Sequence, residues 1–116
     1  MRTLKPTKRY KRAFEKCKSR HYKLDLLYQI LDILVSRDFT PEERRFYKVH
    51  QLHDNTRYRG CNELHIGGRN SDWLLIYHIE GNSIKFDDMI VELEDTGTHS
   101  DCFGVYELDN MEIIWV

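Results

Sequence analysis

Cys61-Asn62-Glu63-Leu64-His65-Ile66-Gly67-Gly68-Arg69-Asn70-Ser71-Asp72-Trp73-Leu74-Leu75-Ile76-Tyr77-His78-Ile79 is the stretch that decides the fold. Leu64 and Ile66 alternate with polar neighbours, the period-two pattern of a strand with one buried face. Gly67-Gly68-Arg69-Asn70 is a turn signal. The run from Asp72 to Ile79 is almost wholly apolar, as expected of a central strand buried on both faces. Strand, glycine turn and strand predict an antiparallel hairpin, which sets His65 close to Asp72 across the turn.

Before this hairpin the period is helical. Leu4-Lys5-Pro6 suits a short edge strand, where proline is tolerated. From Lys8 to Arg20 the apolar positions Tyr10, Ala13, Phe14 and Cys17 form a narrow stripe in a segment otherwise dominated by Lys and Arg. Ser19-Arg20-His21-Tyr22 reads as a turn. Leu24, Leu27, Tyr28, Leu31 and Leu34, widened by Ile30 and Ile33, predict a second helix to about Arg37. Thr40-Pro41-Glu42-Glu43 reads as an N-cap with proline at the first helical position, the start of a short third helix. Beyond the hairpin, Glu80-Gly81-Asn82-Ser83 turns the chain. Ile84–Phe86 and Met89–Glu94 then extend the sheet, with a bulge at Asp87-Asp88. Met111–Val116 suits a last strand added by the tail, residues 105–116. The expectation is an α+β fold of one domain over residues 1–116, a helical hairpin packed on a mainly antiparallel sheet.

The chain has 116 residues, 41% hydrophobic and 32% charged, the composition of a globular protein with one core. No apolar run is long enough for a transmembrane helix, and the basic N-terminus lacks the apolar stretch of a secretory signal, so no membrane association and a cytoplasmic location are expected. Cys17, Cys61 and Cys102 are odd in number and widely spaced. They predict reduced thiols packed as small hydrophobes rather than a disulfide framework or zinc knuckle. The net charge of −1 hides an asymmetry: residues 1–50 carry 14 Lys+Arg against 6 Asp+Glu, and residues 51–116 carry 4 against 13. Such halves predict one basic docking face, built from the N-terminal elements, rather than a protein that coats nucleic acid uniformly.

His50, His65, Asp72 and His99 are the residues with chemistry to offer. His50 precedes the first strand of the sheet, His65 and Asp72 flank the glycine turn, and His99 follows the next hydrophobic strand. All four can therefore converge on one sheet edge. Imidazoles can take and give a proton near neutral pH. One group can remove the proton of a ribose 2′-OH, and another can protonate the departing 5′-oxygen, with no metal or other cofactor required. Trp73 and Phe103 offer aromatic faces for an unstacked base. Each residue alone has a plain structural reading: Trp73 as core, Asp72 as a turn residue, a single histidine as surface. The ordered combination carries the argument. His50, His65 and His99 could also ligate zinc, the less favoured alternative.

Two strings, Asp72-Trp73-Leu74-Leu75-Ile76-Tyr77 and Thr96-Gly97-Thr98-His99-Ser100-Asp101-Cys102-Phe103, resemble the RelE superfamily of bacterial toxins, and its YafQ-like branch most closely. The resemblance runs from about Leu4 to Gly104 and includes Lys5–Arg12, His50-Gln51-Leu52 and Gly60–Ile66. It implies a compact fold of the microbial-ribonuclease type and a toxin of a type II toxin–antitoxin pair that cleaves mRNA in the ribosomal A site. It also implies a cognate RelB- or DinJ-like antitoxin and binding to operator DNA only as the toxin–antitoxin complex. Carried over position by position, the catalytic residues are His50, His65, Asp72 and His99. Trp73 and Phe103 are aromatic positions of the site, and Arg59 and Arg69 could supply substrate-binding cations. Lys8, Arg9, Lys11, Arg12, Lys16 and Lys18 would dock the ribosome and its RNA. Of the roles, His99 is read as general acid, Asp72 or His65 as base or base-orienter, and His50 as stabiliser of the scissile phosphate.

The chain departs from the family pattern in several places. Six residues, 66–71, separate His65 from Asp72, more than is usual. Asn62 stands where many relatives have arginine, and Gln51 where proline is common. The acidic segment 84–95 and the tail after Gly104 are longer. These differences favour, as the second reading, a catalytically weak RNA-, ribosome- or antitoxin-binding module on the same fold.

Overall fold

The computed structural model describes residues 1–53, 57–82 and 84–104. The elements in chain order are β1 (Thr3–Pro6), α1 (Lys8–Ser19), α2 (Leu24–Ser36), α3 (Pro41–Phe46), β2 (His50–Gln51), β3 (Asn62–His65), β4 (Leu74–Glu80), a 3-10 turn (Phe86–Asp88), β5 (Ile90–Gly97) and α4 (His99–Phe103). The five strands form one sheet in the order β1-β5-β4-β3-β2. Only β1 and β5 run parallel; the other neighbours are antiparallel. The central position falls to β4, whose apolar run needs cover on both faces.

One face of the sheet carries the helices. Leu64, Leu75, Tyr77, Val91 and Leu93 meet Tyr10 and Cys17 of α1 and Leu27, Ile30 and Leu34 of α2 in the main core. These helical positions recur at intervals of three, four and seven, so each helix turns one stripe inward. Thr7 caps α1 by accepting from the Tyr10 amide, and its hydroxyl donates to the Leu93 carbonyl at 2.9 Å, which pins the helix start to β5. Pro6 is the last residue of an edge strand, where its missing N–H interrupts no ladder. Arg2 is buried. Its guanidinium donates to the Leu34 carbonyl at 2.9 Å and to the Arg37 carbonyl at 3.2 Å, holding the carbonyl end of α2 where a cation is favoured.

The opposite face bears a smaller core of Tyr58, Cys61, Ile76 and Cys102, flanked by Leu52 and Phe103. Cys17, Cys61 and Cys102 are all buried free thiols, packed as small apolar groups. Burial pushes the Cys61 thiol up to about 11.

The structure differs from the sequence expectation in several places: His50 opens the short strand β2 instead of preceding a strand, β5 runs on to Gly97, and His99–Phe103 forms a helix. Ile84–Phe86 is not a strand; the chain forms a turn and then the 3-10 turn Phe86–Asp88. The bulge lies not at Asp87-Asp88 but at Glu94, which is skipped when Ile76 pairs with Asp95 and Tyr77 with Leu93. Asp72 and Trp73 precede β4 rather than opening it. The strand expected over Met111–Val116 lies outside the described residues.

Candidate active site

His50, His65 and Glu63 reach one face of the sheet through register alone. His50 is paired with Glu63 across β2 and β3, and His65 follows Glu63 by two in β3. Residues two apart in a strand share a face. The Nε2 atoms of His50 and His65 lie 3.6 and 3.5 Å from the same Glu63 oxygen, and Glu63 is buried. Each ring is fixed from its other side: His50 Nδ1 donates to the Lys48 carbonyl at 2.8 Å, and His65 Nδ1 donates to the Ser71 carbonyl at 2.7 Å. A carbonyl can only accept, so both Nδ1 atoms carry the proton and both Nε2 atoms face the carboxylate.

The six-residue loop makes the second of these contacts possible. Gly67 and Gly68 have φ of 92° and 123°, and the Gly68 and Ser71 amides donate to the His65 and Gly68 carbonyls. The chain thus doubles back and brings Ser71 over the His65 ring. A Cβ on Gly68 would lie 3.3 Å from the Phe46 ring, so the loop also packs closely on α3.

His99 opens α4, which the Thr96-Gly97-Thr98 string builds. Thr96 is buried between the β4 and β5 ends, donating to the Leu74 carbonyl at 2.7 Å. Gly97 has φ of 139°, and a Cβ there would meet the Asp101 Cβ at 2.8 Å. Thr98 and Asp101 form a reciprocal capping box. Burial opposes ionisation of Asp101, but bonds from Arg20 and Thr98 outweigh it and hold its carboxyl below the usual range. Asp72 then reaches in from the other loop. One oxygen accepts from the His99 amide at 3.0 Å and from His99 Nδ1 at 2.5 Å. These two bonds hold the Asp72 carboxyl below its ordinary range, so it stays ionised and orients the imidazole with Nε2 outward. The His99 ring lies 5.7 Å from that of His65, centroid to centroid, and 6.2 Å from Phe103.

The structure therefore brings together His50, His65, Asp72 and His99, with Phe103 beside them. It places Trp73 elsewhere. That ring is buried in the main core, its Nε1 donating to Thr96 Oγ1 at 3.0 Å and its edge against Tyr22 at 5.0 Å. Trp73 braces the strand ends that carry Asp72 and His99, and the little surface it keeps lines a pocket with Tyr22, Ser71 and Asp72. Phe103 packs edge-on against Tyr58 at 5.6 Å. Arg59 and Arg69 are exposed in the loops before and after β3, and neither hydrogen-bonds to the cluster among the described residues. Lys8, Arg9, Lys11, Arg12, Lys16 and Lys18 all project from α1 as exposed side chains.

Sequence reasoning missed Glu63 and Ser71. Glu63 was detectable as the residue two before His65 in a strand; Ser71 acts through its backbone and leaves no signal. Glu63, His65 and His99 also offer ligand atoms that lie within 4.8 Å of one another. One carboxylate and two imidazoles form an open donor set suited to zinc or copper.

This fold is shared with solved structures of bacterial toxins. The crystal structure of YafQ from E. coli strain BL21(DE3) shares the fold with a TM-score of 0.69, at 22% identity over 90% of this chain and 100% of that one. The YafQ chain of the E. coli DinJ–YafQ toxin–antitoxin complex superposes with a TM-score of 0.67 at 23% identity, over 89% of this chain and 98% of its own. A metal-bound toxin from Helicobacter pylori does so with a TM-score of 0.67 at 24% identity, over 89% and 100%. No curated protein sequence matches the chain. Residues 2–104 match the family described as the bacterial toxin of type II toxin–antitoxin system, YafQ, and the chain belongs to that family. No helix among the described residues is long and apolar enough to cross a membrane.

Proposed function

We propose that this toxin is an endoribonuclease that cleaves mRNA in the ribosomal A site by acid–base catalysis at His50, His65, Asp72 and His99. The observation that carries the reading is the pair of differently oriented imidazoles, His65 and His99, 5.7 Å apart. Each has its Nδ1 proton anchored, His65 by a carbonyl and His99 by a carboxylate, so each presents Nε2 as the reactive atom. His65, held from behind by the Ser71 carbonyl, takes the proton of the 2′-OH at Nε2, the atom beside the Glu63 carboxylate. That oxygen attacks the adjacent phosphorus, and His99 protonates the 5′-oxygen that leaves. Asp72 stabilises the imidazolium form of His99 and sets its direction. His50, beside Glu63, stands at the phosphate. Arg59 and Arg69 supply cations from the flanking loops, and Phe103 holds the unstacked base. The partners are the ribosome, its mRNA, and a cognate DinJ-like antitoxin with which the chain binds operator DNA. The site of action is the cytoplasm.

The test is induction of wild type and His99→Ala in growing bacteria, with mapping of mRNA 5′ ends. In-frame cuts on translated messages, absent in the variant, support the reading. Absence of cuts and of growth arrest from folded, expressed wild type overturns it in favour of a binding module.

A second reading concerns metal. The Glu63, His65 and His99 donors, together with the likeness to a metal-bound toxin, favour a Zn²⁺ or Cu²⁺ site on the same side chains. A metal there would act as a Lewis acid and occupy the lone pairs that acid–base catalysis needs. Added Zn²⁺ should therefore inhibit cleavage and EDTA restore it. Loss of cleavage on EDTA treatment would instead make the metal part of the reaction.

A further inference from the structure

Beside α4 lies a cleft of about 460 Å³ lined by Arg9, Arg12, Ala13 and Lys16 of α1, Arg57 of the β2–β3 loop, and Asp95, Thr96 and Asp101. Four cations face two carboxylates, and both carboxylates are engaged. Asp101 is paired with Arg20 at 2.6 Å, and buried Asp95 accepts the Tyr58 hydroxyl at 2.5 Å. Arg12 and Lys16 form no ion pair among the described residues. The cleft joins the catalytic cluster through aromatic contacts: His99 neighbours Phe103, Phe103 packs on Tyr58, and the Arg9 and Arg57 guanidiniums each lie 5.9 Å from the Tyr58 ring centre.

The helix sorts its cations by angle. Arg9, Arg12 and Lys16 stand at intervals of three and four, so they share the stripe facing the cleft. Lys8, Lys11 and Lys18 are absent from its lining and point elsewhere. An open cavity of excess positive charge, linked to His99 by the Phe103 and Tyr58 rings and lined by Asp101 of the same short helix, suits further phosphates of the same strand. Side chains one helical turn apart are spaced roughly 6 Å, close to the step between phosphates of an extended strand.

We propose that this cleft is the subsite for the mRNA phosphates flanking the cleaved bond, with Arg12 and Lys16 as their principal ligands, while Lys8, Lys11 and Lys18 serve docking alone. The proposal rests on the nuclease reading for its substrate and divides the six α1 cations into two sets with separate tasks.

The test is anisotropy of a fluorescein-labelled single-stranded RNA decamer with the intact His99→Ala chain, between 50 and 200 mM salt on the scale where such contacts are sensitive. Arg12→Gln/Lys16→Gln should weaken binding at least tenfold and reduce the slope of log K against log salt by about 1.4, the share of two phosphate contacts on a single strand. Lys11→Gln/Lys18→Gln should change affinity less than twofold. Equal loss in both double variants, loss in neither, or no binding by the parent chain at the lowest salt overturns the subsite. All substituted residues are exposed, and unchanged circular dichroism verifies folding. If the subsite holds but wild type cuts no message in cells, the nuclease reading falls and the phosphate site stands. If wild type cuts messages and the subsite fails, the reverse is true.

Discussion

Asp72 shows how much one side chain can settle. One of its two oxygens both accepts from the first amide of α4 and holds the His99 ring, so removing the carboxylate loosens a helix and frees an imidazole at once. Asp72→Asn keeps the shape and removes the charge that favours the imidazolium form. We expect cleavage to fall roughly 100-fold or more, in keeping with the loss of an orienting carboxylate, with the melting temperature little changed; single-turnover cleavage on programmed ribosomes measures the first and calorimetry the second. Glu94 behaves differently. Burial, with a hydrogen bond and repulsion from Glu92, pushes its carboxyl from the ordinary 4.5 up to about 7. The folded state then holds a proton that the unfolded state has lost. Stability contributed by this residue is complete below about 4.5 and is lost as pH rises through 7. Glu94→Gln should raise the melting temperature at pH 8 and leave it unchanged at pH 4. A rise of the same size at both pH values would exclude titration as the cause.

At the scale of the element, α4 is the part most sensitive to local sequence. Its five residues are too few to be stable alone, and it persists because of its capping box, the Arg20–Asp101 pair and the burial of Cys102. Gly97 is required twice over, by its positive φ and by the 2.8 Å approach to Asp101 that any Cβ would make. Gly97→Ala should displace His99 from Asp72 and lower cleavage by roughly 100-fold, the scale of an ångström-level misplacement. Thr98→Ala should cost about 1 kcal/mol of stability through the lost cap, read from urea unfolding. Wild-type activity in Gly97→Ala would show that α4 tolerates a shifted entry.

At the scale of the molecule, the sheet separates two tasks. Its helical face holds the main core, and its other face holds the histidine–carboxylate cluster. Leu27 is fully buried in the former, so Leu27→Ala should destabilise the protein by about 3 kcal/mol without altering the cleavage rate of the folded fraction. The charge asymmetry also has its consequence here. If the outward cations of α1 meet ribosomal RNA, Lys8→Glu/Lys11→Glu/Lys18→Glu should abolish most of the salt dependence of ribosome binding. An unchanged salt slope would move the docking face off α1.

Periodicity was enough to place α1, α2, β3 and β4 to within a residue or two, because their apolar spacing matches their own geometry and their faces meet one common core. The capped start of α3 was legible for the same local reason. His50, His65, Asp72 and His99 were legible as a set through the order of motifs. Three things were decided only in the folded molecule. Ile84–Phe86 has the composition of a strand, but β5, the strand that follows it, is already paired with β1 on one side and β4 on the other. Trp73 reads as a stacking ring beside a catalytic carboxylate, yet the core claims it, because its large apolar surface is better buried under Tyr22 than left in a wet site. Glu63 and the Ser71 carbonyl entered the site through cross-strand register and loop closure, which bring together groups from separate elements. Sequence determines which residues can do chemistry; the register of strands and the path of the loop decide which of them meet.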